Sequence, residues 1–427
     1  QSLQLEGDST AHGTVLVVPP WNFPLAIPMG GVCAALASSN AVILKPAPES
    51  VLTASYLVDA LWSAGVPKDT LQFLPCRDDD SGRYLVTHQD VASVVLTGSF
   101  ETAQMFTAWK PEIRLLAETS GKNAIVITAS ADIDSAVKDL VNSAFGHAGQ
   151  KCSAASLGIV DESIYRDPAF LTQLKDAVTS LVVGPGTNLS TWMGPLIRPP
   201  SPQLLRALTH LDAQEEWLVK PEQLDEQAFL WSPGVKLNVQ PQSWSHLNEW
   251  FGPVLGIMVA PNLPTAIQWQ NAVPYGLTAG ISSLDQTQCL HWIQSVQAGN
   301  LYVNRGITGA VVQRQPFGGW KRSSVGPTAK AGGPEYLHQL RNWDAVHNPS
   351  LFIEQGNQWF AQHGSTVEET AKLRSELNYS RFRPYSNGIV VRIDSDVAPE
   401  IESILTWLNT NSAVTIHQSS GDSVEDF

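Results

Sequence analysis

Cys152 stands in Gly149-Gln150-Lys151-Cys152-Ser153-Ala154, a glycine-punctuated and partly polar turn, and Glu118 opens Glu118-Thr119-Ser120-Gly121-Lys122-Asn123 upstream of it. A thiol can attack a carbonyl and a carboxylate can activate water, so the pair suggests thioester chemistry. An isolated cysteine is most often inert core. Here the flanking Gly149, Gln150, Lys151 and Ser153 argue for an accessible turn, and Lys151 with a neighbouring backbone amide could lower the thiol pKa. Glu118 ends an apolar run, and reads either as a strand-end surface group or as a carboxylate facing a ligand crevice. Pro20-Trp21-Asn22-Phe23-Pro24 follows another such run. Its prolines stiffen the turn, and the Asn22 amide could donate to an alkoxide formed on thiol attack, although a turn of this kind taken alone is more often packing. Thr97-Gly98-Ser99 ends a further run and opens a helix, which presents free N–H groups to a phosphate. No GxGxxG fingerprint follows any expected strand, which disfavours an ordinary Rossmann dinucleotide site.

The elements that must position these groups alternate. Thr14 to Val18, Ala41 to Leu44, Leu71 to Leu74, Ser93 to Leu96 and Ile113 to Leu116 are near-continuous apolar runs, as expected of strands covered on both faces. Between them Met29 to Ala37, Val51 to Ala64 and Glu101 to Trp109 have helical spacing, with Gly65 as a helix stop. Strand, helix and strand in succession imply parallel pairing with right-handed crossovers, hence a doubly wound α/β domain. A second such block carries helices at Ile133 to Phe145, Ala169 to Leu181, Thr265 to Asn271 and Thr287 to Val296. Its strands are expected at Ser156 to Val160, Val254 to Ala260, Thr278 to Ser282 and Asn300 to Asn304. Residues Pro199 to Ser245, rich in Gln, Pro and Trp, read as surface helix and irregular connection without chemistry. Past Gly333 a third α/β segment begins, with helices expected at Thr366 to Leu377 and Ile401 to Asn411 and strands at Gly388 to Ile393 and Ala413 to Ile416.

Composition narrows the class. At 427 residues and 43% hydrophobic content the chain can bury more than one core. Its 40 acidic against 26 basic residues give a net charge of −14, and without a Lys/Arg-rich run nucleic acid and anionic lipid are disfavoured as partners. Cys33, Cys76, Cys152 and Cys289 are scattered, with no CxxC or Cys/His cluster for zinc, so free thiols in a reducing cytoplasm are expected and no metal. The greasiest stretch, Pro24 to Lys45, is broken by Pro28, Gly30, Gly31 and Ser38-Ser39-Asn40, so no membrane insertion is expected.

Together the motifs resemble the aldehyde dehydrogenase superfamily. The matching segments run in family order: Pro20 to Pro24, Leu44-Lys45-Pro46-Ala47, Thr97-Gly98-Ser99, Ala117 to Asn123, Gly149 to Cys152, Glu249-Trp250-Phe251-Gly252-Pro253 and Gln315-Pro316-Phe317-Gly318-Gly319. The resemblance implies two doubly wound domains, an NAD-binding one over 1–119 and a catalytic thiol domain over 120–340. It makes Cys152 the nucleophile, Glu118 the general base for hydrolysis, and Asn22 with the Cys152 N–H the oxyanion hole. For the cofactor it implies Lys45 at the adenosine ribose, Ser99 with Gly98 at the pyrophosphate, and Glu249 and Phe251, beside Trp21, at the nicotinamide ribose and ring. Pro48 stands where many NAD-using members have a glutamate, which leaves both NAD and NADP open.

Asn304 to Val312 leading into Gln315 to Gly319, together with Ala329-Lys330-Ala331-Gly332-Gly333-Pro334, resemble the L-glutamate γ-semialdehyde (1-pyrroline-5-carboxylate) dehydrogenase branch. In that branch Ser153 and the glycine-rich Gly332 and Gly333 would bind the substrate α-carboxylate and amine, since small residues let backbone N–H groups close on a carboxylate. Other small semialdehydes such as succinate semialdehyde, or a catalytically silent scaffold, are the alternatives. Arg381-Phe382-Arg383-Pro384-Tyr385 followed by Gly388 to Arg392 is similar to the tail domain of long bifunctional proline utilization A proteins. The extension over 341–427 is then the beginning of an aldehyde-dehydrogenase-like tail domain. The chain is expected to be a fragment of such a protein, with FAD confined to an absent proline dehydrogenase module and the full-length protein a homo-oligomer.

Overall fold

The computed structural model describes residues 9–312, 314–343, 349–364, 366–369, 371–382, 389–393 and 414–418. Two compact units emerge, one holding Thr10–Asn342 and the other Trp343–Phe427.

The first unit contains two sheets. One has six strands in the order Ser324–Val325, Leu115–Glu118, Val91–Thr97, Thr14–Val18, Ala41–Leu44 and Leu71–Phe73. All neighbours are parallel except the first pair, which is antiparallel with Ser324 opposite Glu118. The second has seven strands in the order Asn300–Val303, Thr278–Ser282, Asn123–Ile127, Ala155–Asp161, Val254–Ala260, Gly234–Leu237 and Glu216–Val219, of which only the last pair is antiparallel. Each sheet buries apolar side chains on both faces: Val15 and Val17 join one layer while Leu16 joins the opposite one. In the second sheet Ile125 and Ile127 face away from Ala124 and Val126. That two-sided burial explains the continuous apolar runs and the α/β class they predict.

The helices start where side-chain caps are available. Asp132 accepts from Ser135 N at 3.1 Å to open Ile133–Phe145, and Ser99 accepts from Thr102 N at 3.1 Å to open Phe100–Trp109. Several elements escaped the sequence pattern: the helix Asp80–Thr87, the strand Asn123–Ile127 that follows the Glu118 turn, and two strands between residues 199 and 245.

That last stretch corrects the expectation of irregular connection. After the helix Pro202–Thr209 it supplies the strands Glu216–Val219 and Gly234–Leu237, the latter buried at every residue. Lys236 lies in its centre with a side chain only 1% exposed. It donates to His210 O at 2.6 Å and reaches Glu215 Oε2 at 3.3 Å, a carboxylate with no exposure. A lysine reads as surface in any periodicity, so the pairing that permits its burial is invisible along the chain.

In the second unit the helix is Pro349–His363, upstream of the expected one. Thr366 to Leu377 is not helical: Glu368–Glu369 and Tyr379–Ser380 pair antiparallel. The Glu369 carboxylate accepts backbone N–H bonds from Asn378 at 2.9 Å, from Ala371 at 3.4 Å and from Lys372. A side chain that takes up backbone donors in this way competes with the helix. Ile389–Ile393 pairs parallel with Val414–Gln418, close to the two expected strands. Arg383, Pro384, Tyr385, Gly388 and the expected helix Ile401 to Asn411 lie outside the described residues.

Removing Glu215 leaves Lys236 desolvated beside a single carbonyl. Glu215→Ala should lower stability by about 3–5 kcal/mol, read as a drop in urea midpoint at unchanged slope.

Candidate active site

The turn that carries Cys152 is built against backbone preference. After the helix Ile133–Phe145, His147 (φ 60°), Ala148 (φ 52°) and Gly149 (φ 67°) are all left-handed. A Cβ on Gly149 would stand 2.2 Å from Gly252 O and 3.1 Å from Ala144 O, so only glycine allows this approach. Gly252 belongs to the loop that carries Glu249 and Phe251, which ties the thiol turn directly to that loop.

Asn123 closes the turn from the other side. Its Nδ2 donates to Cys152 O at 2.7 Å and Ala154 O at 2.9 Å, while its Oδ1 accepts from Thr278 N at 3.0 Å. Gly121 passes so close that a Cβ there would be 2.6 Å from Cys152 O. Gln150 anchors outward, its Oε1 accepting from Ile197 N at 2.9 Å, and its carbonyl accepts from Asn22 Nδ2 at 2.9 Å. The Asn22 amide is therefore buried, held by the nucleophile's own turn and aimed toward it.

Glu118 ends its strand under equally strict control. Gly98 N donates to its carbonyl at 3.1 Å, Thr119 N donates to Ser323 O at 3.0 Å, and Ser323 Oγ donates to Ser120 O at 2.6 Å. The edge strand Ser324–Val325, distant in sequence, thus fixes where the carboxylate points.

These groups surround one cavity of about 410 Å³. Cys152, Glu118, Asn22, Trp21, Gly98, Ser99, Glu249 and Phe251 all line it. Phe251 sits at φ 54° and meets Trp21 edge to face with centroids 5.9 Å apart. The Glu249 carboxylate accepts from Gly121 N at 2.8 Å.

Lys45, Ser153, Gly332 and Gly333 are not among the lining residues. Lys45 is 4% exposed and paired with the Asp78 carboxylate. Ser153 is buried, its carbonyl facing Thr278 Oγ1 at 3.4 Å. Gly332 takes φ 73° beside Val312, and Gly333 packs near Pro316, next to the mutual backbone bonds of Phe317 and Ala331. Tyr275, Glu101, Asn248, Ser201 and Gln203 also line the cavity without having been singled out, and no local motif marks them.

Burial dominates the electrostatics. It pushes Glu118 up to about 8 against the pull of Lys330, and Lys330 down to about 8 against the pull of Glu118. It raises Glu249 to about 7, opposed by the N–H of Gly121. The thiol of Cys152 is also driven upward, first by burial and then by Glu118 and Glu249. The expected lowering by Lys151 is therefore outweighed, because two carboxylates and a dry wall face the sulfur. A carboxyl that titrates near 8 is mostly protonated at neutral pH and becomes available as a base as the pH rises through that value.

The profile of the aldehyde dehydrogenase family matches residues 8–346. A 1-pyrroline-5-carboxylate dehydrogenase from Oceanobacillus iheyensis is 34% identical over 343 residues, covering 78% of this chain and 66% of the relative. One from Staphylococcus epidermidis is 36% identical over 337 residues, covering 76% of this chain and 64% of the relative. The chain thus spans slightly less than two thirds of the length of these curated relatives. Among solved structures, proline utilization A from Corynebacterium freiburgense superposes with a TM-score of 0.91 at 45% identity, covering 100% of this chain and 45% of that one. A 1-pyrroline-5-carboxylate dehydrogenase from Thermus with bound NAD superposes with a TM-score of 0.72 at 32% identity, covering 79% of this chain and 66% of that one.

Gly149→Ala should cost more than about 2 kcal/mol of stability and slow alkylation of Cys152 by iodoacetamide, because the turn must retreat from Gly252. Thermal unfolding and thiol-modification rates, measured together, check this.

Proposed function

The chain belongs to the aldehyde dehydrogenase family, and from that premise we propose that it oxidises L-glutamate γ-semialdehyde to L-glutamate with NAD, through a thioester on Cys152. The observation that carries this reading is the convergence of Cys152, Glu118 and Asn22 with Glu249, Phe251 and Ser99 on one cavity. The relatives named 1-pyrroline-5-carboxylate dehydrogenase support the substrate, and the Thermus structure with bound NAD supports the cofactor.

The residues present fit a dinucleotide. Thr97, Gly98 and Ser99 lead into the amino end of the helix Phe100–Trp109 at the cavity wall, a favourable place for a diphosphate. Glu249, with one oxygen on Gly121 N, keeps lone pairs for ribose hydroxyls, and Phe251 offers a ring face held by Trp21. Lys45, paired with Asp78 rather than open to the cavity, would reach an adenosine ribose by exchanging that partner. NAD is the preferred reading over NADP. When bound, the nicotinamide accepts hydride from the tetrahedral carbon.

The chain's own residues do the rest. Glu118 takes the thiol proton, and the Cys152 sulfur adds to the aldehyde carbon to form a hemithioacetal. Its oxyanion is met by Asn22 Nδ2 and the Cys152 N–H, donors worth about 3–4 kcal/mol each in such sites. Once the thioester has formed and Glu118 has lost its proton to solvent, the carboxylate deprotonates water, which adds to the thioester and releases the acid and the thiol. The resemblance assigns the α-carboxylate and amine of the substrate to Ser153, Gly332 and Gly333, which lie outside the cavity lining. The likeness to proline utilization A over this whole chain supports a bifunctional parent, in which FAD would belong to a proline-oxidising module outside this sequence.

NADH formation from glutamate semialdehyde, run in parallel with succinate semialdehyde and with NADP, tests the reading. Faster turnover of the first with NAD is expected; equal rates for the two aldehydes would sink the substrate assignment, and no turnover would favour a silent scaffold. Cys152→Ala should abolish turnover. Glu118→Gln, which removes the base for both the thiol and the water, should slow the NADH burst as well as steady turnover, by about 10²–10⁴-fold. Because the base must be ionised and Glu118 titrates at about 8, turnover should rise as pH increases through about 8, and Glu118→Gln should lose that rise.

A further inference from the structure

Behind the loop that carries Glu249 and Phe251 lies a set of buried polar groups that the proposed chemistry leaves unused. Lys122 Nζ is buried without a hydrogen-bond partner among the described residues, and stands 3.4 Å from the centroid of the Trp250 ring. Trp250 is 2% exposed, with its Nε1 also buried and unpartnered. Lys236 approaches the same indole at 5.5 Å, and Trp244 stacks on it with centroids 6.3 Å apart. Glu215 Oε1 and Ser245 Oγ are orphaned as well. Buried polar groups that lack partners cost stability, so each calls for a physical reason.

Lys122 follows Gly121 directly, and the two residues grip one loop at adjacent points. The Gly121 N–H holds the Glu249 carboxylate at 2.8 Å, and the Lys122 amine holds the ring of Trp250. Burial pushes the Lys122 ammonium strongly toward the neutral amine, with Glu249 opposing that and Lys236 adding to it. Ordinary packing would place a methionine or leucine here without that cost. The amine over the ring is what an apolar side chain cannot supply, since an N–H or N⁺ directed at a π face is attractive and directional.

We propose that Lys122 is a positioning residue: through the Trp250 indole it ties the Glu249 and Phe251 loop to the Glu118 turn, and so sets where the Glu249 carboxylate stands in the cavity to meet a dinucleotide. The buried Lys236–Glu215 pair supports the far side of the same indole cluster. This role rests on the dinucleotide function proposed above. Its loss should loosen Glu249 and Phe251 while leaving the thiol turn, held from the other side by Asn123, in place.

The test is Lys122→Met, which keeps the side-chain stem and removes the amine, with two readouts taken on the same protein. NAD affinity is measured by calorimetric titration, and Cys152 reactivity by iodoacetamide alkylation without NAD. The NAD Kd should rise about tenfold while the alkylation rate stays within about twofold. An unchanged Kd in Lys122→Met, or an alkylation rate that falls in step with affinity, overturns the role. Should Lys122→Met not fold, Trp250→Phe decides by the same split. An unmodified chain that binds no NAD overturns the proposed function and this role with it; normal binding by the unmodified chain with an unaltered variant overturns this role alone.

Discussion

The approach of Gly149 to Gly252 is the constraint on which the rest of the site depends. Two stretches of backbone meet there with no room for a side chain, at the end of three consecutive left-handed residues. One stretch leads to Cys152 and the other carries Glu249 and Phe251. A displacement of either would separate the sulfur from the groups that face it across the cavity. The strain of His147 and Ala148 is tolerable because neighbours over-determine the turn: Asn123 bonds two of its carbonyls, and the helix Ile133–Phe145 is packed into the largest apolar cluster.

Burial at the same place shapes the chemistry. A dry wall raises Glu118 and Glu249 and drives the thiol upward, so none of the three is fully committed to its charged form near neutrality. Lys330, pulled down to about 8 in the same surroundings, is the opposing charge that keeps Glu118 from rising further. With the thiol driven further from its charged form than Glu118, the proton rests on sulfur, and the proposed thioester cycle has to draw it off as the carbonyl is attacked.

Most strands and helices of the two sheets were legible because their signals are local. Strands buried on both faces appear as apolar runs, and Asp132, Ser99 and Asp285 mark helix starts by residue type. Where the reading failed, a long-range partner decided the outcome. Gly234–Leu237 hides a lysine that only Glu215 and His210 make tolerable, and Thr366 to Leu377 lost its helix to the carboxylate of Glu369. The strand Asn123–Ile127 escaped because the polar turn before it reads as the end of one element and not as the start of the next.

The sequence by itself determined which chemical groups are available and in what order, since the thiol, the carboxylate and the amide lie in short motifs whose spacing survives any packing. It also determined that two α/β blocks form, because hydrophobic periodicity is a property of neighbouring residues. Only the tertiary structure decided which of these groups share a cavity. It brought Tyr275, Glu101 and Gln203 to the wall, kept Lys45 paired with Asp78, and placed Ser153, Gly332 and Gly333 outside the lining. The reason is that cavity walls are assembled from strand ends and loops far apart in the chain, and their meeting is set by close packing between backbones that no single segment encodes.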